Sequence, residues 1–172
     1  LFTTTQSVRT AHIAEGPGGF IEAFYNYHRN PEDISYGMTL EQTNKTIPNW
    51  DSTIITNSQI TIVKGDDKTG NLYKLANIQD FVNHVKFADL VTADGGFDVS
   101  ENYNEQENQS YRLIYTEIIC ALSCLEKEGV FICKMFDCFE IRTIKLLWFI
   151  SQLFSKVCIT KPFTSRPANS ER

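Results

Sequence analysis

The sequence lacks several patterns that mark common classes of protein. No apolar run reaches the roughly 18–20 residues that a membrane-spanning helix needs, and the first residues show no signal-peptide pattern. The five cysteines, at positions 120, 124, 133, 138 and 158, include no C-x-x-C pair and have no histidines at zinc-ligand spacing. These absences favour an intracellular protein without a membrane span or a zinc site, whose cysteines are reduced and buried in the core.

What the sequence contains is typical of a single globular domain over residues 1–172. Hydrophobic residues make up 42% of the chain and charged residues 22%, a balance that allows a buried core. The net charge is −5, yet residues 127–172 hold eight Lys/Arg against four Asp/Glu. This positive C-terminal part is compatible with a phosphate-binding face, and a chance asymmetry of surface charge explains it equally well.

Strand-like and helix-like segments alternate, which predicts βαβ units and a mostly parallel sheet with helices on both faces. We expect strands at 9–14, 34–38, 60–64, 88–93, 129–135 and 156–160. We expect helices at 20–27, 75–85, 110–126 and 141–154, and polar loops at 41–58 and 98–108. The apolar residues of 110–126 recur with a helical period, and the very apolar segment from Ile144 to Phe154 predicts a buried core helix.

A glycine-rich turn follows the first predicted strand. Residues 16–19 read Gly-Pro-Gly-Gly and lead into a predicted helix. Glycines let a backbone approach a ligand, and the free N–H groups at a helix start favour an anionic group. A dinucleotide site would need a third glycine where this chain has Ile21. Alone, the turn is a weak indication of a site, because ordinary tight turns use the same residues.

Two charged residues lie at the ends of apolar strand-like segments. Asp94 follows the predicted strand at 88–93, and Lys134 ends an apolar run that begins at Gly129. A lysine in such a run is costly to bury unless it is paired or functional. Loops after the carboxyl ends of parallel strands surround the ligand crevice of an open α/β sheet, so both residues are candidates for a site.

Together these segments resemble the catalytic domain of the cap-specific mRNA ribose 2′-O-methyltransferases, relatives of the bacterial FtsJ rRNA methyltransferase. The resemblance spans nearly the whole chain and is carried by residues 11–20, 93–97, 129–139 and 161–171. It implies an α/β, Rossmann-like S-adenosylmethionine-dependent methyltransferase fold with seven strands, of which this chain would supply about six. It also implies capped mRNA or other RNA as substrate, capping-machinery proteins as partners, and a nuclear, cytoplasmic or viral-factory location.

For the cofactor, S-adenosyl-L-methionine, the resemblance implies contacts from the glycine turn, the turn after the second strand, the acidic loop after the third strand and the end of the fourth. These positions are Ala14, Glu15, Gly16, Pro17, Gly18, Gly19, Phe20, Thr39, Asp66, Asp67 and Asp94. In the acidic loop, the spacing to Gly70 favours Asp67, whereas the Gly-Asp pair at 65–66 favours Asp66. The sequence leaves that choice open.

For catalysis, the family uses a Lys-Asp-Lys-Glu tetrad, of which three members match Asp94, Lys134 and Glu171, with Lys134 as the base. Such a lysine accepts a proton only where its surroundings lower its pKa, while the carboxylates hold and orient the amines. The resemblance further implies substrate contacts from Asn102, Arg166, Asn169 and Ser170. No lysine precedes Lys45, so the first tetrad lysine is missing, and we expect a chain truncated at both ends.

Two other functions stay open at this point. One is 2′-O-methylation of rRNA or tRNA, and the other is a non-catalytic scaffold domain that binds cofactor or RNA. The runs at 93–97 and 161–171 favour the cap enzymes over the first. Retention of the three tetrad residues argues against the second, because a binding module does not need a buried lysine. His12, His28 and His84 show no partner spacing, and we expect structural roles for them.

Overall fold

The computed structural model describes residues 2–3, 5–41, 48–97 and 105–165. The chain divides into two compact units. The first is formed by Leu1–Asp94 and Thr116–Cys133, and the second by Gly95–Tyr115 and Lys134–Arg172. None of the described helices combines the length and the hydropathy that crossing a membrane requires.

The first unit contains a five-stranded sheet. Its strands are β1 (Arg9–Ile13), β2 (Ile34–Met38), β3 (Ile60–Ile62), β4 (Ala88–Ala93) and β5 (Leu125–Cys133), in the spatial order β3-β2-β1-β4-β5. Every neighbouring pair is parallel. The predicted α/β fold with a mostly parallel sheet is therefore confirmed.

The central strands β1 and β4 are buried along almost their whole length. Ala11, Ile13 and Val91 are fully buried, as expected of parallel strands whose two faces are both covered. His12 and Thr92 alternate with these apolar residues and are just as inaccessible. Because buried polar groups need hydrogen-bond partners, these side chains must be satisfied inside the fold.

Three helices lie wholly within the first unit. They are α1 (Gly19–His28), α2 (Ser52–Thr56) and α3 (Leu75–Val85). Helix α1 buries Ile21 against Trp50, Ile54 and Ile60, and one turn later it buries Phe24 against Val8 and Leu90. The apolar face of α1 thus fixes the direction in which the glycine turn leaves β1.

The chain order reverses at β1. Strands β2 and β3 extend the sheet on one side of β1, and the chain then returns to place β4 on the other side. The crevice at the carboxyl ends of β1 and β4 is therefore the topological switch point, where open α/β sheets bind their ligands.

The second unit contains helix α5 (Ile141–Leu153) and the part of helix α4 (Gln106–Cys124) that ends at Tyr115. The carboxylate of Glu107 accepts hydrogen bonds from the backbone N–H groups of Phe139 (3.0 Å) and Glu140 (2.9 Å). Glu140 is the N-cap of α5 and makes no side-chain cap of its own. Glu107 therefore supplies the acceptor that the start of α5 needs.

Helix α5 is less buried than its apolar sequence predicts. Thr143, Leu146 and Ile150 are its buried residues, whereas Trp148 is 66% exposed and Ile144 is 51% exposed. The segment forms a helix, as predicted, but the prediction that this helix is buried in the core is wrong. An apolar helix is buried only on the faces that other surfaces cover, and here one narrow face is covered.

The predicted sixth strand at 156–160 is wrong. These residues form no strand, their side chains are exposed, and the described part of the chain has five strands. Alternating apolar residues at Val157 and Ile159 predict a strand, but a strand also needs a neighbour for its backbone hydrogen bonds. In addition, β5 begins earlier than predicted, at Leu125, and the short helix α2 lies inside the segment predicted as a loop.

The cysteines follow the prediction only in part. All five are thiols outside disulfide bonds; Cys120 and Cys124 are buried, Cys133 and Cys138 are half-buried, and Cys158 is exposed. Burial raises the pKa of Cys124 to about 12, so this thiol stays protonated and unreactive at neutral pH. The expectation of a buried core cysteine is wrong for Cys158, because the predicted strand that would have buried it does not form.

Candidate functional site

The glycine turn leaves the carboxyl end of β1, at the switch point. Gly16 N–H donates to the hydroxyl of Thr39, which follows β2 (3.3 Å), and Ala14 N–H donates to the carbonyl of Met38 (2.7 Å). The turns after β1 and β2 are thereby held together. Two of the predicted cofactor positions, Gly16 and Thr39, are thus brought into contact.

Packing, rather than ligand approach, explains two of the turn's glycines. Gly18 has φ +114°, and a Cβ there would lie 2.8 Å from the Ile54 side chain. A Cβ at Gly16 would lie 2.6 Å from the carbonyl oxygen of Pro48. At Gly19 a Cβ would meet no heavy atom within 4 Å. The first residue of α1 therefore borders open space, while a side chain at Gly18 would disturb the turn itself.

The side chain of Glu15 lies beneath this turn. Its Oε1 accepts a hydrogen bond from Ile21 N–H in the first turn of α1 (2.8 Å), and its Oε2 lies 3.0 Å from Nδ1 of His12. The Thr92 hydroxyl also donates to Oε2. Glu15 is 0% exposed, so its carboxylate faces the interior of the sheet, and only its backbone is left for a cofactor contact.

The polar contacts of Glu15 continue as a row across the sheet. His12 is in register with Thr92 of β4, and Thr10 is in register with Ser35 of β2. Nε2 of His12 lies 2.8 Å from the Thr10 hydroxyl, which lies 2.6 Å from the Ser35 hydroxyl. We call Ser35, Thr10, His12, Thr92 and Glu15 the buried polar row. The burial of His12 and the contacts of both its ring nitrogens are consistent with the predicted structural role, but the sequence does not predict these partners.

The two aspartates of the acidic loop after β3 differ in their contacts. Asp67 accepts hydrogen bonds from the Thr69 hydroxyl (2.7 Å), from Nδ2 of Asn77 (2.9 Å) and from the Lys74 ammonium. These donors, Lys74 foremost, hold the pKa of Asp67 well below its ordinary value. Asp66 is exposed and makes no hydrogen bond or ion pair within the described residues. Asp67 therefore shapes the loop.

Asn77 organises this loop from helix α3. Its side-chain oxygen accepts from Asp67 N–H (3.2 Å), and its nitrogen also donates to the carbonyl of Asn71 (3.0 Å). Gly65, with φ +78°, lies so close to Asn77 that a Cβ would come within 2.5 Å of it. Sequence reasoning missed Asn77; the only signal was a polar residue on the apolar face of a predicted helix.

The two predicted catalytic residues within the described ranges follow the ends of neighbouring strands. Asp94 comes directly after β4, is half-buried, and donates its N–H to the carbonyl of Ile13 (3.2 Å). Lys134 comes directly after β5 and is also half-buried. The last residues of the two strands, Ala93 and Cys133, are paired in the ladder.

The surroundings of Lys134 in the second unit are tight. Its Nζ lies 5.8 Å from the centre of the Phe136 ring, and a Cβ at Gly96 would come within 3.4 Å of that nitrogen. Because Gly96 has no side chain, the ammonium group of Lys134 has room beside it.

The remaining predicted site residues lie outside the described residues. They are the glutamate of the tetrad, Glu171, and the predicted substrate contacts Asn102, Arg166, Asn169 and Ser170.

Comparison with known proteins agrees with this geometry. The family profile described as FtsJ-like methyltransferase matches residues 2–172. The chain is 38% identical over 161 residues to a cap-specific mRNA (nucleoside-2′-O-)-methyltransferase of Autographa californica nuclear polyhedrosis virus, covering 93% of this chain and 60% of that protein. It is 36% identical over 168 residues to cap-specific mRNA (nucleoside-2′-O-)-methyltransferase 1 of Leishmania braziliensis, covering 94% of this chain and 42% of that protein. The chain thus spans about half the length of these relatives.

A solved structure shares the fold. The crystal structure of a ribosomal RNA methyltransferase from Plasmodium falciparum superposes with a TM-score of 0.65 at 16% identity, over 94% of this chain and 83% of that one. At this identity the likeness concerns the fold alone. The family profile covers almost every residue, and the resemblance carried by the motifs is confirmed. The chain belongs to the FtsJ-like methyltransferase family.

Proposed function

We propose that this chain is the catalytic part of an S-adenosylmethionine-dependent RNA ribose 2′-O-methyltransferase that modifies the first transcribed nucleotide of capped mRNA. The observation that carries the proposal is the joint placement, in a member of this family, of the glycine turn at the switch point and of Asp94 and Lys134 after paired strand ends. The relatives named above as cap-specific, at 36–38% identity, favour capped mRNA over rRNA or tRNA.

The residues at the switch point fit the cofactor. Gly19 borders open space at the start of α1, where free N–H groups favour a carboxylate such as that of the methionine part. Thr39 holds the neighbouring turn, and Asp66 is exposed and uncommitted within the described residues. Of the two loop aspartates, we therefore assign Asp66 to the adenosine part and Asp67 to the shape of the loop.

In the proposed mechanism, Lys134 removes the proton from the ribose 2′-hydroxyl, while Asp94 and Glu171 orient the amine. When bound, S-adenosylmethionine supplies the methyl group that the 2′-oxygen takes up. Holding the hydroxyl in line contributes several kcal/mol to lowering the barrier, and a positioned base contributes roughly 10²–10⁴ in rate. Half-burial of Lys134 and Asp94 restricts water around both groups.

The catalytic assignment is tested in the full-length protein with Lys134→Met. We expect turnover on capped RNA to fall by roughly 10²-fold or more, while S-adenosylhomocysteine affinity by calorimetry stays within about twofold. Lys134→Arg should not restore turnover, because a guanidinium keeps its proton. Lys127→Met, at an exposed lysine within β5, is the matched control and should be fully active. Near-normal turnover of Lys134→Met would contradict the mechanism.

The substrate is tested with labelled S-adenosylmethionine and matched capped and uncapped RNAs. Transfer to the first nucleotide of capped RNA alone supports the cap assignment. Equal transfer to uncapped RNA would move the function to internal positions of RNA. Cofactor binding without transfer to either RNA would instead indicate a scaffold domain.

The cofactor position is tested with Gly19→Leu. Because its Cβ points into open space, we expect the fold to be retained and S-adenosylhomocysteine affinity to fall about tenfold or more. Ala23→Leu, one helical turn along α1 and also exposed, is the control and should bind normally. Unchanged S-adenosylhomocysteine affinity in Gly19→Leu would show that the cofactor does not bind at this turn.

A further inference from the structure

We propose that Glu15 is a positioning residue, which sets the geometry of the cofactor turn through the buried polar row. The identity of the ligand rests on the proposed function; the structural role of Glu15 does not. The carboxylate is fully buried and both of its oxygens are engaged inside the fold. It therefore cannot touch a ligand and can act only through the residues that it holds.

The contacts of Glu15 close the turn at both ends. Oε1 accepts from Ile21 N–H, in the first turn of α1, whose N-cap residue Gly18 has no side chain to do so. Oε2 is anchored to His12 of β1 and to Thr92 of β4. The position of residues 16–20 relative to two strands is thus fixed by one carboxylate.

The same contacts connect the turn to the proposed catalytic strand end. Thr92 precedes Asp94 by two residues, and Asp94 N–H donates to the carbonyl of Ile13, two residues before Glu15. A shift of Glu15 therefore moves both sides of the switch point.

Three donors converge on this carboxylate. One proton arrangement satisfies the whole row: Ser35 O–H donates to Thr10, and Thr10 O–H donates to Nε2 of His12. Thr92 O–H and Ile21 N–H donate to Glu15, and His12 Nδ1–H is shared between Glu15 (3.0 Å) and the Thr92 oxygen (2.7 Å). Two carboxylate oxygens can accept all three bonds, whereas an amide has one acceptor oxygen. Glu15→Gln keeps the size of the side chain but replaces one acceptor oxygen by an NH₂ donor, so the donors and acceptors of the row must rearrange.

The test compares Glu15→Gln with Asp33→Asn, which alters the other buried His–carboxylate pair of the unit. In Glu15→Gln we expect S-adenosylhomocysteine affinity to fall about tenfold and the Ile21 amide to exchange with solvent about tenfold faster. Thr92→Val, which removes one donor and creates no conflict, should weaken affinity about threefold. Asp33→Asn should change neither quantity by more than about twofold.

Affinity and Ile21 exchange within twofold of wild type in Glu15→Gln would overturn the proposal. Equal losses in Asp33→Asn would also overturn it, because they would reflect general destabilisation. A wild-type protein that does not bind S-adenosylhomocysteine would refute the proposed cofactor, and the Ile21 exchange rates, measured without ligand, would still decide the role of Glu15.

Discussion

The first unit contains two buried histidines paired with carboxylates, at opposite ends of its parallel strands. His12 pairs with Glu15 after the carboxyl end of β1, at 3.0 Å, and His28 pairs with Asp33 just before β2, at 2.7 Å. In each pair one carboxylate oxygen faces Nδ1 and the other accepts a backbone N–H, from Ile21 and from Val8 respectively. The same local chemistry is thus used twice.

The two pairs differ in what surrounds them. The amino-end pair ties α1 to the N-terminal segment, since Nε2 of His28 lies 2.9 Å from the carbonyl oxygen of Thr3. The carboxyl-end pair lies under the turn at the switch point, where the ligand of an open α/β sheet binds. Both pairs can stabilise the fold, but of the two only the His12–Glu15 pair contacts the candidate site. Comparing variants of the two pairs therefore separates an effect on stability from an effect on the site.

The largest expected effect is the loss of stability when either buried carboxylate is removed, and it should be similar for the two pairs. Glu15→Ala and Asp33→Ala each remove the carboxylate beside a buried histidine and leave a buried backbone N–H without its acceptor, so each should lower the free energy of unfolding by about 3–5 kcal/mol. Urea unfolding followed by circular dichroism measures both. A loss below about 1 kcal/mol in only one variant would show that the two pairs are not equivalent.

A smaller effect should appear at the carboxyl end alone. Thr92→Val removes a hydroxyl whose hydrogen-bond partners, among the residues that the structure describes, are His12 and Glu15, so the free energy of unfolding should fall by about 1 kcal/mol. Thr61→Val, at an exposed position of β3, is the matched control and should change it by less than about 0.5 kcal/mol. Equal losses in the two variants would mean that the Thr92 hydroxyl makes no net contribution.

The sequence predicts the strands of the sheet better than it predicts these two pairs. The bounds of β2 and β4 match the prediction because each is a short strand-forming run bounded by turn residues and polar side chains. Thr92, in contrast, is 80 residues from His12 along the chain, and only the register of β1 with β4 brings them together. His28 and Asp33 lie on either side of a connection whose path the sequence does not specify.

In the candidate site, too, the sequence predicts some features and not others. The positions of the glycine turn and of Asp94 at strand ends could be predicted, because strand ends follow from apolar runs. The choice between Asp66 and Asp67 depends on Lys74 and Asn77, which reach the loop only once α3 is in place. The sequence alone suggests that Gly16 and Gly18 allow a ligand to approach, whereas the contacts that require them, with Pro48 and Ile54, are tertiary.

The smallest expected effect separates the pairs by their response to pH. The hydrogen bond that His28 donates to Asp33 raises the pKa of His28 above its ordinary 6.5, and this effect outweighs the opposite effect of burial. A raised folded-state pKa means that the stabilisation is fully present below the pKa of the unfolded chain and is lost as the pH rises through the folded-state pKa. The free energy of unfolding, measured by urea titration from pH 5.5 to about pH 9, should therefore decline in wild type.

Asp33→Asn should flatten that decline, and Glu15→Gln should leave it in place because Glu15 does not contact His28. A decline of equal size in Asp33→Asn would assign the pH dependence to another group and remove this distinction between the two ends of the sheet.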